Sequence, residues 1–63
     1  QEQTMDVRFD PEEVEELQTI LEATRSDLRM EIRDTESHEW REALHRREAI
    51  IDALLARLSA RAA

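Results

Sequence analysis

Three side chains that can ligate a metal ion follow one helical spacing in the middle of the chain. His38, Glu42 and His45 stand at positions i, i+4 and i+7, and residues at these intervals share a face of an α-helix. Imidazole nitrogens and carboxylate oxygens are common ligands of zinc and other transition metals. The first chemistry to consider is therefore metal binding.

The position of this group relative to the apolar residues argues against that chemistry. Glu42 and His45 have the Glu-x-x-His spacing that ferritin-like bundles direct inward at a di-metal site. Here, however, the three side chains project at about 150° or more from the centre of the apolar stripe, onto the solvated side of the helix. The sequence predicts surface helix pairs and no metal or other cofactor, with a di-metal bundle as a lesser alternative.

Nucleophilic catalysis finds no support in the residue types. Serines occur at positions 26, 37 and 59, but neither Ser26 nor Ser59 comes near a histidine in the predicted helix register, and Ser37 is predicted to cap a helix. The chain has no cysteine and no glycine, so thiolate chemistry and a glycine-rich phosphate loop are excluded. We therefore predict a protein that is not an enzyme.

The charge balance bears on the partners. Sixteen acidic residues against nine basic ones give a formal net charge of −7. This disfavours nucleic acid as a partner, because nonspecific affinity for it comes from basic groups that displace counterions. An acidic surface keeps a protein in solution or attracts a basic protein partner, and both readings stay open.

The length and the apolar runs set further bounds. With 63 residues the chain has room for one small domain. Its longest unbroken apolar run, Ala53 to Ala56, is far shorter than the roughly 20 residues that span a bilayer. The amino end does not resemble a signal peptide. No membrane association and a cytoplasmic location are therefore expected.

A helix start is strongly specified near residue 10. Asp10 suits the N-cap, Pro11 the first helical position, and Glu13 the third position of a capping box. Phe9 and Val14 occupy the positions of a hydrophobic staple. Residues 1–9 are predicted to be an extended or disordered lead-in, or a short strand over 5–9, and residues 10–63 a helical domain.

A strand followed by two helices also resembles the ribbon-helix-helix repressors, many of which are antitoxins. The resemblance implies DNA binding by a paired strand whose outward residues would be Asp6, Arg8 and Asp10. Two of these three are acidic, which opposes contact with DNA. This remains a lesser alternative.

The apolar pattern changes phase in the middle of the chain, which predicts a turn. Leu28 and Leu44 are sixteen residues apart, two more than two heptads, so on one straight helix the stripe would jump by about a third of a turn or more. Asp34 to Ser37 are mostly cap formers, and Asp tolerates the left-handed geometry of many helix stops. We predict an antiparallel hairpin rather than one rod, with helices over about 11–33 and 38–60 and Ser37, or else Thr35, capping the second.

Folding the chain at this turn matches the two stripes. Leu28 is predicted to lie near Leu44, Leu21 near Ile51, and Leu17 near Leu54. Arg25 would face Arg47 beside Glu31 and Glu48, either as an ion-pair cluster or with both arginines extended into solvent. The second stripe is too wide for one partner helix, so we predict dimerisation into a four-helix bundle. The predicted interface residues are Val14, Leu17, Ile20, Leu21, Leu28, Ile32, Trp40, Leu44, Ile50, Ile51, Leu54, Leu55 and Leu58.

The stretch around the turn resembles a group of short uncharacterised bacterial helical-hairpin proteins. The similarity rests on Leu28 to Ile32, on Asp34 and Thr35, which complete a Leu-x-x-Glu-Ile-x-x-Thr motif, and on Arg41, Leu44 and Arg47 in the second helix. It covers roughly residues 14–58. It implies the same hairpin and carries over no functional residue.

Together these patterns predict an all-α hairpin that acts as a small interaction or scaffold module and self-associates through its wide apolar face. The alternative is an acidic, antitoxin-like or regulatory protein that binds a basic partner through the same face.

Overall fold

The protein is a hairpin of two packed α-helices. A computed structural model of the chain describes residues 7–62, and the side chains of residues 7–60. Helix α1 spans Pro11–Asp34 and helix α2 spans His38–Ala62, so α1 ends one residue, and α2 two residues, beyond the predicted limits. The all-α class and the packing of the two helices against each other are as predicted. Over the described residues, neither helix has a long enough apolar stretch to cross a bilayer.

Helix α1 begins with a complete capping box. The Asp10 carboxylate accepts a hydrogen bond from the Glu13 amide at 2.9 Å, and the Glu13 carboxylate accepts one from the Asp10 amide at 3.1 Å. Pro11 takes the first helical position, where its missing N–H is no loss. Two amides that the first turn leaves without helical partners are thereby satisfied, which fixes where α1 starts.

The residues before this cap have no regular secondary structure over 7–10. The possible strand over 5–9 is therefore not found for residues 7–9, and residues 5 and 6 lie outside the described part. Val7 and Phe9 are both exposed.

The turn consists of Thr35, Glu36 and Ser37 and needs no left-handed residue. Thr35 is the C-cap of α1 in an extended conformation, with φ −83° and ψ 143°, and its amide donates to the Glu31 carbonyl at 2.9 Å. No residue of the described chain has a positive φ. The left-handed stop considered for Asp34 is thus wrong, because an extended Thr35 already redirects the chain.

Ser37 starts the second helix in the role that the sequence predicts for it. Its hydroxyl accepts a hydrogen bond from the Trp40 amide at 3.2 Å, and its carbonyl accepts one from the Arg41 amide at 2.9 Å. The Arg41 guanidinium also donates to the Thr35 carbonyl, a half-buried bond. That contact satisfies a carbonyl at the end of α1 and ties α2 to the turn.

The core is a single layer of side chains between the helices. Leu28, Leu44, Ile51 and Leu55 form one buried cluster, and Leu21 and Ile32 pack against it. Leu44 is the most deeply enclosed, with 1% of its surface exposed. Val14 and Leu58 are also buried, so the seam continues toward the start of α1 and the end of α2.

The predicted stripe of α2 needs one correction. The apolar pattern predicts Leu54 on the main stripe of α2, near Leu17, and Leu55 on one flank of that stripe. In the structure Leu55 is buried in the core and Leu54 is exposed. The reason is angular, since at about 100° per residue Leu55 falls about 20° from Leu44 around the helix, whereas Leu54 falls about 80° away.

Candidate interaction surface

One flank of the seam is closed by polar contacts between the helices. Arg25 Nη1 donates to Asp52 Oδ1 at 3.0 Å, and Arg29 Nε donates to Glu48 Oε2 at 2.9 Å. Nearer the start of α1, the Gln18 amide and the Ser59 hydroxyl are 3.5 Å apart. We call this edge the polar flank, defined by Gln18, Arg25, Arg29, Glu48, Asp52 and Ser59.

The polar flank also fixes the register of the hairpin. Its three contacts advance along α1 from residue 18 to 25 to 29 and retreat along α2 from 59 to 52 to 48. The steps are seven and four residues on both helices, as expected for two antiparallel helices packed side by side. The predicted meeting of Arg25 with Arg47 is therefore wrong. Arg25 pairs with Asp52, and Arg47 is exposed.

Arg29 shows the electrostatic effect of this arrangement. Its pKa is raised, mainly by the hydrogen bond to Glu48; desolvation opposes this rise, and the charges of Glu48 and Asp52 add to it. The guanidinium is protonated with or without this shift. The carboxylates act here as fixed partners that hold the arginines across the seam.

The opposite flank carries apolar side chains that the hairpin leaves in contact with solvent. Ile20 on α1 lies about 140–160° around the helix from Gln18 and Arg25, and Leu54 on α2 lies at a similar angle from Asp52 and Ser59. Ile20 is 50% exposed and Ile50 61% exposed. We call this edge the apolar flank, defined by Ile20, Trp40, Ala43, Ile50 and Leu54.

The hairpin itself divides the predicted interface residues into two groups. One group fills or borders its own core and needs no second molecule: Val14, Leu17, Leu21, Leu28, Ile32, Leu44, Ile51, Leu55 and Leu58, all buried or half-buried. The other group is exposed: Ile20, Trp40, Ile50 and Leu54. These four, with the half-buried Ala43, make up the apolar flank.

A shallow groove extends the apolar surface toward the start of α1. It is lined by Phe9, Glu13, Glu16 and Leu17. The sequence predicts a hydrophobic staple between Phe9 and Val14; the groove places Phe9 beside Leu17. Phe9 remains partly exposed, so the lead-in adds an aromatic edge to this side of the molecule.

The two histidines do not converge with Glu42. His38 Nε2 is 3.3 Å from Glu42 Oε2, but His45 Nδ1 is nearest to Glu48, at 3.7 Å from Oε1. Among the described residues, no group of three or more His, Asp or Glu side chains is arranged to hold a metal ion. The candidate ligands therefore belong to two separate surface pairs, His38 with Glu42 and His45 with Glu48.

Comparison with protein-family models, with curated proteins and with solved structures finds no match to this chain. The apolar flank holds four of the seven large apolar side chains that are exposed among the described residues.

Proposed function

We propose that this protein is a small interaction or scaffold module that self-associates through the apolar flank, two hairpins forming a four-helix bundle. The single observation that carries the proposal is that the exposed aliphatic residues of α1 and α2 adjoin one edge of the seam, while the other edge is closed by ion pairs. Two-fold dimers are the commonest homo-oligomers of soluble proteins, and a second copy carries the same apolar strip.

The energetics support a dimer of modest affinity. Full burial of a Leu or Ile side chain contributes roughly 1.5–3 kcal/mol, and Ile20, Ile50 and Leu54 have between about a third and two thirds of their surface left to cover. Association also loses translational and rotational freedom, which costs an estimated 4–15 kcal/mol. Summed over two copies, the gain is of the same size as this cost, so we expect a weak dimer that is populated only at high protein concentration.

Stability supports the same proposal. A single layer of buried side chains between two helices is a small core, and chains of this size are commonly stabilised by a partner. A ligand or second copy that binds only the folded state raises the free energy of unfolding by mass action. We therefore expect the thermal midpoint of this protein to rise with its concentration.

The structure offers a matched pair of variants for the test. Ile20 and Met30 are both on α1 and both 50% exposed, but Ile20 belongs to the apolar flank and Met30 projects from the back of the helix. Sedimentation equilibrium of Ile20→Glu should show a monomer where the unchanged protein is a dimer. Met30→Glu should associate as the unchanged protein does.

Circular dichroism at the same concentrations separates loss of association from loss of folding. Equal helical content in Ile20→Glu and Met30→Glu, with association lost only in the first, is the expected result. A protein that stays monomeric at millimolar concentration, or two variants that behave alike, would rule the proposal out.

The second candidate is an acidic regulatory partner of a basic protein, which the net charge of −7 favours. In that case the unchanged hairpin stays monomeric and Ile20→Glu has no effect on its mass. Addition of a lysine-rich helical peptide would then raise helical content and the thermal midpoint, with a strong dependence on ionic strength.

A further inference from the structure

Charged residues border the apolar flank, and their signs differ between the two helices. On α1, Glu16 and Asp27 lie within about 40° of Ile20 around the helix. On α2, Arg47 lies about 20° from Leu54, and Arg57 about 20° from Ile50. All four charged side chains are exposed. Glu39, which is also exposed, lies about 20° from Ile50 near the turn. The flank is thus acidic along α1, and along α2 it is basic from Arg47 onward.

The spacing of these charges is nearly the same on both helices. Glu16 and Asp27 are eleven residues apart with Ile20 between them, and Arg47 and Arg57 are ten residues apart with Ile50 and Leu54 between them. At 1.5 Å per residue these intervals are about 16 Å and 15 Å. An antiparallel α1 and α2 can therefore bring acidic residues of one helix close to arginines of the other at two places.

We propose that two hairpins pair with α1 of each copy against α2 of the other, about a two-fold axis parallel to the helices. A rotation about this axis keeps every residue at its height, so the register of the hairpin also sets the contacts between copies. The partner's Arg47 then lies at a height between Asp27 and Glu31, the partner's Arg57 about one turn from Glu16, and the partner's Leu54 within a turn of Ile20. This inference rests on the proposed self-association and adds its orientation.

The other two-fold arrangement brings like charges together. With the axis across the helices, α1 packs on the partner's α1 and α2 on the partner's α2. The acidic edge of α1 then faces the partner's acidic edge, and the arginines of α2 face the partner's arginines. Like charges that face each other at an interface disfavour that pairing, so the first arrangement is preferred.

A charge-reversal cycle distinguishes the two arrangements. The first variant, Arg47→Glu/Arg57→Glu, makes the whole flank acidic, and the second, Glu16→Arg/Asp27→Arg, makes it basic. The third variant combines all four changes and restores the net charge of the unchanged protein. Arg8→Glu/Arg33→Glu is a control for the first variant, because it has the same net charge but alters residues away from the apolar flank: Arg8 precedes α1, and Arg33 lies about 140° around the helix from Ile20.

In the proposed dimer each pair variant sets like charges against each other at four symmetric positions, so we expect dimerisation to weaken by about 10- to 100-fold in low salt. The combined variant should recover the affinity of the unchanged protein. Sedimentation equilibrium measures each dissociation constant, and circular dichroism checks that every variant is folded.

Each result has a defined meaning. Weakening of both pair variants, but not of the control, followed by recovery in the combined variant supports the orientation. A dimer whose affinity is the same in all variants overturns the orientation but leaves self-association standing. An unchanged protein that never dimerises overturns both.

Discussion

The two flanks of the seam belong to the same pair of helices, but one presents paired charges to solvent and the other presents apolar side chains. Arg25 and Arg29 reach across one flank to carboxylates of α2. Across the other, Ile20 and Leu54 are left exposed. The polar flank satisfies its own groups, whereas the apolar flank gains free energy only when something covers it.

This difference bears on how assembly is limited. An amphipathic helix that is apolar on two sides of its contact line can add neighbours on both, and the number of copies is then unrestricted. Charged groups that already have partners across one flank make further burial there costly. A hairpin with one closed flank and one open flank is suited to form a pair and stop.

The largest effect is expected from removing the core that both flanks share. Leu44→Ala should lower the free energy of unfolding by about 2–5 kcal/mol, because Leu44 is enclosed and its loss leaves a cavity. Leu54→Ala is the control, since its side chain is exposed in the hairpin. Urea denaturation at a concentration where the protein is monomeric should show a far smaller change for Leu54→Ala. Equal losses would contradict the core described here.

The next prediction erases the difference between the flanks. Arg25→Leu/Asp52→Leu replaces an ion pair of the polar flank by apolar side chains, so we expect light scattering to reveal species larger than a dimer.

The matched control is Glu42→Leu/Arg46→Leu, which also replaces one acid and one arginine but on the outer face of α2. It should retain the mass of the unchanged protein. The same growth in both variants would show that any added apolar pair drives assembly, whatever its position.

The smallest effect is expected from the ion pair itself. A double-mutant cycle of Arg25→Ala and Asp52→Ala should give a coupling of about 0.2–1 kcal/mol, because both side chains are partly solvated. The coupling, measured by urea denaturation, should fall as salt is added. A coupling several times larger would mean that the polar flank holds the hairpin together as well as closing its edge.

Much of the fold follows from local rules in the sequence. The helix caps at Asp10 and at Ser37 each depend on residues within one helical turn. The change of phase between Leu28 and Leu44 requires a break in the helix, whatever the distant contacts are. The same reasoning applied at 100° per residue would also have placed Leu55 in the core. The angle of each residue from Leu44 therefore distinguishes the buried Leu55 from the exposed Leu54 in the sequence itself.

Other features depend on geometry that periodicity does not define. The bond from Arg41 to the Thr35 carbonyl requires a long side chain to reach back across the turn. The choice of Asp52 over Arg47 as the neighbour of Arg25 depends on the exact offset of the two helices. The sequence predicts only that the apolar stripe of α2 is too wide for one partner helix. Which edge of that stripe stays exposed becomes clear only when the offset of the two helices is known.

The turn at Thr35 to Ser37 places the outer ends of α1 and α2 at the same pole of the hairpin. Anything attached before Pro11 and anything attached after Ala62 would therefore emerge side by side. Fluorescent labels at those two sites should transfer energy efficiently, and a label beside the bend would be more than a helix length, about 35 Å, from both.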